Sequence, residues 1–328
     1  MYMIRRILIG CVCLLCSVAW ETVQAKKTVL SAEIYGYRAE MVYFDCFQTP
    51  LLRQEFHTNP GEEHIYSFDT ERMVTFAING KTTVLLMPGD SLHVNLRYEG
   101  KQVQAVEFSG TAEAVAQNRL LRDIAQLKRT MRYKSQLLAC IAVDVKPKER
   151  FEASRVLLEQ SRKLLEKAGK EIRPEVSSYI LADIEGSVYN SFMEYPVMYA
   201  ETRRLPIEKQ EIGDYWSVMD GYSLRTDKNA LQSLDYIGML MRYMFFVNEK
   251  KAHESGTTYT RPTSFEEGYR AYAAFYTGDV RDVVLYTIIC NFIRNGKNLD
   301  RIDDVVKEYK KKYNRNKEYV HIIETLLQ

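Results

Sequence analysis

Two different hydrophobic periods divide this chain. Between residues 27 and 109, apolar and polar positions alternate in short runs at 28–35, 41–47, 51–57, 64–68, 73–78, 82–87, 92–98 and 103–108. Alternation of this kind marks half-buried strands. Asn59-Pro60-Gly61, Asn79-Gly80, Pro88-Gly89-Asp90 and Glu99-Gly100 separate the runs with turn chemistry. Asn79-Gly80 is the strongest of these signals, because a two-residue hairpin turn needs positive φ at both central positions. Short strands spaced this closely predict a small antiparallel β-sandwich.

Beyond Gly110 the period becomes helical. One long helix is expected over 111–143, with Leu121, Ile124, Leu127 and Met131 on one face. Another is expected over 148–168, with Phe151, Leu158 and Leu165 aligned and Gly169 suited to its C-terminal cap. Pro174 opens a third, to about Glu194, with Ile180, Ile184 and Val188 on its face. Further helices are expected at 212–220, 229–248, 264–277, 280–294, 299–313 and 316–327. The segment 280–294 is apolar almost all round and should be the central buried helix. The expected fold class is therefore α+β: an N-terminal antiparallel β-sandwich at 26–110, then an all-α helical bundle domain at 111–328, touching across a short link.

Residues 1–25 read as a signal peptide. Arg5 and Arg6 precede an apolar run at 7–20, and Val23-Gln24-Ala25 places small residues where a signal peptidase reads them. The run is short for a spanning helix. Export to the periplasm or cell envelope is expected, with the mature chain starting near Lys26. Leu8-Ile9-Gly10-Cys11 offers an alternative lipoprotein cleavage, but cutting there would leave the apolar residues 12–20 as the new N-terminus. Peripheral membrane contact is expected only if Cys11 is lipidated.

Composition narrows the partners. The chain is 46% hydrophobic and 27% charged, which suits a globular protein with a sizeable core. Its net charge of +2 gives no field to gather nucleic acid, so no nucleic-acid partner is expected. No Gly-x-Gly-x-x-Gly motif and no phosphate loop is present, and no cofactor is expected. Cys11, Cys13 and Cys16 leave with the signal. Cys46, Cys140 and Cys290 remain, among apolar neighbours and with no Cys-x-x-Cys pair, so buried thiols and at most one internal disulfide are expected.

Gly89-Asp90-Ser91-Leu92 spells the nucleophile block of a serine esterase, and His93 lies two residues on. Leu92, Val94, Leu96 and Tyr98 alternate behind it, so the turn leads into a strand rather than the helix that esterase chemistry requires. The segment 88–92 is read as a hairpin turn. His57, His64, His93, His253 and His321 show no helical metal-pair spacing, and no metal site is expected. The basic stretch 307–317 is offset locally by Asp303, Asp304 and Glu308 and reads as a solvated helix face.

Tyrosine is abundant, at 23 residues. Phe265, Tyr269, Tyr272 and Tyr276 share one helical face. This is either helix–helix packing or an aromatic-lined groove for a ligand or partner. Tyr269, Tyr272 and Tyr276 are the candidate binding residues, for a protein partner or small ligand at the domain junction. No catalytic residue is assigned.

Leu85-Leu86-Met87-Pro88-Gly89-Asp90-Ser91-Leu92, Val106-Glu107-Phe108-Ser109-Gly110-Thr111 and Asn118 with Leu120-Leu121 resemble the accessory region ahead of the thioredoxin-like module in exported thiol–disulfide oxidoreductases of gut-type Gram-negative bacteria. Phe275-Tyr276-Thr277-Gly278-Asp279-Val280-Arg281-Asp282 looks like the helical part of the same proteins. The resemblance implies a β domain and a helical segment without the thioredoxin fold, which would begin where this sequence stops. It carries over structural positions only: the 88–92 turn and the Gly110 junction. The expectation is a non-catalytic exported accessory or binding protein. The alternative is a thiol–disulfide redox protein or a component of a split redox system.

Overall fold

The computed structural model describes residues 25–59, 61–131, 136–296 and 299–328. The expected signal peptide, with Cys11, Cys13 and Cys16, lies outside the described residues apart from Ala25.

The protein is an α+β mixture. Its strands are β1 (Lys26–Tyr35), β2 (Met41–Cys46), β3 (Gln54–His57), β4 (Glu63–Thr70), β5 (Val74–Ile78), β6 (Thr82–Leu86), β7 (Ser91–Glu99) and β8 (Gln102–Gly110). They form two four-stranded sheets, ordered β4-β1-β7-β8 and β3-β2-β5-β6. Leu30, Ala32, Val94 and Leu96 of the first sheet share one apolar cluster with Val42, Phe44, Phe76 and Val84 of the second. Alternation produces this. In β7, Leu92, Val94, Leu96 and Tyr98 point inward while Ser91, Arg97 and Glu99 face water. Asn79 (φ 52°) and Gly80 (φ 63°) make the turn between β5 and β6.

One feature of the pairing departs from expectation. β1 pairs with β4 antiparallel but with β7 parallel, Leu30 opposite Leu92. The sheet is therefore mixed, not antiparallel throughout. The chain crosses to the other sheet for β2 and β3, and again for β5 and β6, and each return flanks β1 on a different side. Side-chain alternation sets which face is buried, not the direction of the neighbour.

Among the described residues the helices are α1 (Ala112–Thr130), α2 (Leu137–Ala142), α3 (Pro147–Ala168), α4 (Pro174–Arg203), α5 (Leu234–Glu254), α6 (Phe265–Phe275), α7 (Gly278–Asn295), α8 (Asp303–Glu308) and α9 (Lys317–Leu326). The expected helix 111–143 is interrupted: α1 ends at Thr130, and α2 restarts after Gln136 in extended backbone. No α-helix forms over 212–220. Asp214 instead caps a single turn, Tyr215–Ser217, by accepting the Trp216 N–H at 3.0 Å. The expected helix 299–313 breaks into a short turn, α8 and a π-helical turn, Tyr309–Tyr313. Buried Tyr309 donates its hydroxyl to Asp282 Oδ1 on α7 at 2.5 Å, and Arg315 N–H donates to Asp282 Oδ2 at 2.9 Å. Helix α7 is buried along most of its length, through Val284, Leu285, Ile289 and Ile293.

β5 is buried at every position because both faces are covered. Beside it, Met73 and Leu85 pack with Leu120 of α1, Phe151 of α3 and Ile180 of α4. A polar knot fixes this contact. Asn118 Oδ1 accepts the Leu85 N–H at 2.8 Å, and its Nδ2 donates to the Leu85 carbonyl at 2.7 Å. The amide thus finishes the open edge of β6 much as another strand would. Next to it, Asp90 is 2% exposed. It accepts from Arg173 at 2.7 and 3.1 Å, Gln117 Nε2 at 2.9 Å and Met87 N–H at 2.8 Å. At the junction, Gly110 (φ 135°) passes so close to Ser91 that a Cβ would lie 2.0 Å from its carbonyl oxygen.

Candidate functional site

The seam between the second sheet and the helices is hollow. A cavity of about 370 Å3 lies among Thr82, Phe108, Ile124, Lys128, Tyr179 and Asp235. A second, of about 260 Å3, lies among Phe47, Arg72, Gly238, Tyr286, Cys290 and Arg294. A third, of about 390 Å3, lies among Met73, Pro88, Asn229, Asp279, Asp282 and Arg315. Neighbours share walls. The first and second meet at Phe47 and Leu234, and the second and third at Arg72, Leu231, Gln232, Val283 and Tyr319. The result is a groove of three adjoining cavities along the β/α junction.

Three helices bring charge to one end of it. Lys128 Nζ of α1 lies 3.4 Å from Asp183 Oδ2 of α4 and 3.6 Å from Asp235 Oδ2 of α5. Ser233 caps α5, accepting the Tyr236 N–H at 3.1 Å, and donates to Asp183 Oδ1 at 2.9 Å. Burial works against the charge on Lys128, but the two carboxylates together overcome it and hold the ammonium above its ordinary range. Desolvation, reinforced by Asp183, pushes the Asp235 carboxyl above its ordinary range, while Lys128 pulls the other way. Half of the Asp235 side chain still meets groove water. Strong pKa displacement in a cleft is a common mark of a functional position. No local motif could have announced this trio, because its members come from three distant segments.

Gly238 is a glycine without a packing reason. It sits inside α5, faces the second cavity, and a Cβ there would meet nothing within 4 Å. Glycine in a helix interior costs about 1 kcal/mol relative to alanine. Gly238→Ala should therefore raise the unfolding free energy by about 0.5–1 kcal/mol in urea melts.

The candidate tyrosines sit elsewhere. Tyr269, Tyr272 and Tyr276 are 1%, 5% and 4% exposed, inside the helical core. Tyr272 donates to the Met241 carbonyl at 3.3 Å and Tyr276 to that of Leu240, both on α5. Burial raises all three phenols above their ordinary range. Their shared face points at α5 and the π-helical turn, and the cavity walls described above are built from other residues. The helical period correctly put the rings on one face, but it could not say what lay opposite.

The Asp90-Ser91-x-His93 series is split three ways. Asp90 turns into the knot. Ser91 opens β7 on its exposed side. The His93 Nδ1 lies 2.9 Å from Ser31 Oγ and 3.0 Å from Glu63 Oε1.

Cys46, Cys140 and Cys290 are buried in separate apolar clusters, with no disulfide among the described residues. Burial raises the Cys46 thiol and pushes that of Cys290 up to about 11, against a partial pull from Tyr286 and Arg294. A raised thiol pKa depletes the thiolate, which is the reactive species. On native protein at pH 7, residue-resolved alkylation should leave all three unmodified over minutes, and denaturant should release all three. Rapid native modification of any one would contradict their placement.

Comparison with known protein families, curated proteins and solved structures finds no match to this chain.

Proposed function

We propose that this chain is an exported, non-catalytic accessory protein that holds a ligand or partner in the groove between a β-sandwich head, residues 26–110, and an all-α body, residues 111–328. The observation that carries this reading is the run of three adjoining cavities along the junction. Concave, largely apolar walls with a few converging polar groups are what small-ligand sites share. The apolar cluster common to both sheets supports the sandwich reading of the head. The charge pattern of residues 1–25 supports export.

The redox alternative has less behind it. Its thiols are buried in different clusters, and burial raises the Cys46 and Cys290 thiols above their ordinary range. A serine-hydrolase reading meets a histidine already engaged by Ser31 and Glu63.

The test is a saturation-transfer NMR screen of a chemically mixed fragment library, run on wild type and Gly238→Leu. The leucine fills the middle of the groove from a position with open space. Fragments that bind wild type and lose binding to the filled variant, at a melting temperature no lower than wild type, support the proposal. Fragments that bind both proteins equally, or a library with no binders, overturn it.

A further inference from the structure

We propose that the middle cavity binds a small monocarboxylate with an apolar body, its carboxylate on Arg294 and its body against the apolar walls and the stacked Tyr286 and Tyr319 rings. This deepens the groove reading and rests on it.

The walls are mostly apolar: Leu231, Leu234, Ile237, Met241 and Val283. Tyr286 of α7 and Tyr319 of α9 stack face to face at 3.9 Å between ring centroids, only 8° from parallel, and both rings line the cavity. Among the described lining residues the charged side chains are Arg72 and Arg294, and neither is an acid. Arg72 is already engaged, its Nη2 lying 2.6 Å from Glu318 Oε1. Arg294, exposed in the last turn of α7, has no carboxylate partner among the described residues. It lies close enough to Tyr286 and Cys290 to act electrostatically on both.

The ligand class follows from these parts. A cation would meet Arg294, with no acid among the lining residues to compensate it. A neutral apolar molecule would leave the Arg294 fork unused. Guanidinium is planar and matches a carboxylate with two parallel hydrogen bonds, which strengthen beside apolar walls. With Arg72 paired, one arginine charge is left over among the described lining residues, which favours a monoanion over a dianionic phosphate. Gly238 completes the argument. A helix-interior glycine normally earns its place by close packing, as Gly186 does on α4, where a Cβ would lie 2.4 Å from the Asp235 carbonyl carbon. Gly238 packs against nothing and keeps the floor of this cavity low.

Calorimetric titration with phenylpropanoate and hexanoate, against phenylpropanamide and phenylpropylamine, tests the assignment. The carboxylates should bind wild type, and the amide and amine should bind at least about tenfold more weakly. Arg294→Gln should weaken the carboxylates about tenfold while leaving amide binding unchanged, and Arg294→Lys should restore part of the loss. Gly238→Leu should abolish binding, and unchanged melting temperatures would show that the variants fold. Amide or amine binding as tight as the carboxylates, or indifference to Arg294→Gln, overturns the carboxylate assignment. If those neutral or cationic binders are still lost in Gly238→Leu, the groove reading survives alone. If no probe of any charge responds to Gly238→Leu, both fall.

Discussion

Gly186→Ala should cost about 3 kcal/mol of unfolding free energy, or prevent folding altogether. Gly186 lies in the middle of α4, where the start of α5 crosses it. An added Cβ would sit 2.4 Å from both Asp235 C and Tyr236 N, and 2.6 Å from Asp235 O. All three are backbone atoms, so no side-chain rotation can relieve the overlap. Either α5 moves away or both helices bend. Moving α5 would drag Tyr236 and Leu240 out of the helical core, and both are 0% exposed there. Close packing gives little room for such a shift. The intrinsic gain of alanine over glycine, about 1 kcal/mol, offsets only part of the cost. Equilibrium urea melts of Gly186→Ala and Gly238→Ala make an internal control. The same chemical change in two contacting helices should move stability in opposite directions. A Gly186→Ala protein as stable as wild type would show that the two helices do not approach this closely.

The contrast between these glycines shows where sequence reasoning reaches its limit. Both read alike as a glycine inside a helical pattern, yet one is filled by a neighbouring backbone and the other faces open space. What the sequence states directly is local. Asn79-Gly80 names a hairpin turn because its backbone conformation suits few other residue pairs. Leu92, Val94, Leu96 and Tyr98 name an inward strand face because a pleated strand permits no other arrangement. Asp90-Ser91 reads as a turn into a strand for the same reason.

What stayed hidden is relational. The parallel partnership of β1 with β7 depends on the path of the chain between sheets, which alternation does not encode. The π-helical turn at Tyr309–Tyr313 accompanies a long-range bond to Asp282. Lys128, Asp183 and Asp235 each look like surface charges on their own helices and become a group only when those helices meet. The Asn118 amide lies in a segment that reads as an ordinary helix, but its partner is a strand edge more than thirty residues earlier. The groove is built almost wholly from such meetings.

Asp90→Ala should cost about 3 kcal/mol at the junction itself. Removing the carboxylate strips Arg173 of two of its three bonds and Gln117 of one, and leaves the Met87 N–H without its acceptor. Breaking a buried ion pair from one side costs about 3–5 kcal/mol where the surviving charge stays dry. Arg173 keeps 28% of its side-chain surface exposed, so water can reach part of its guanidinium, and the lower end applies. Arg173→Met should cost at least as much, because it leaves the drier partner, Asp90, without its cation and with Gln117 Nε2 and Met87 N–H as its remaining donors. A double-mutant cycle across Asp90 and Arg173 separates their direct interaction from these leftovers. The knot ties the β7 turn to α1 and to the start of α4, so its loss should also loosen one segment against the other. Hydrogen exchange would then rise first at Leu85 and Met87, whose amides are bound by Asn118 and Asp90. If Asp90→Ala melts within about 0.5 kcal/mol of wild type, the carboxylate is not the buried hub that joins strands to helices.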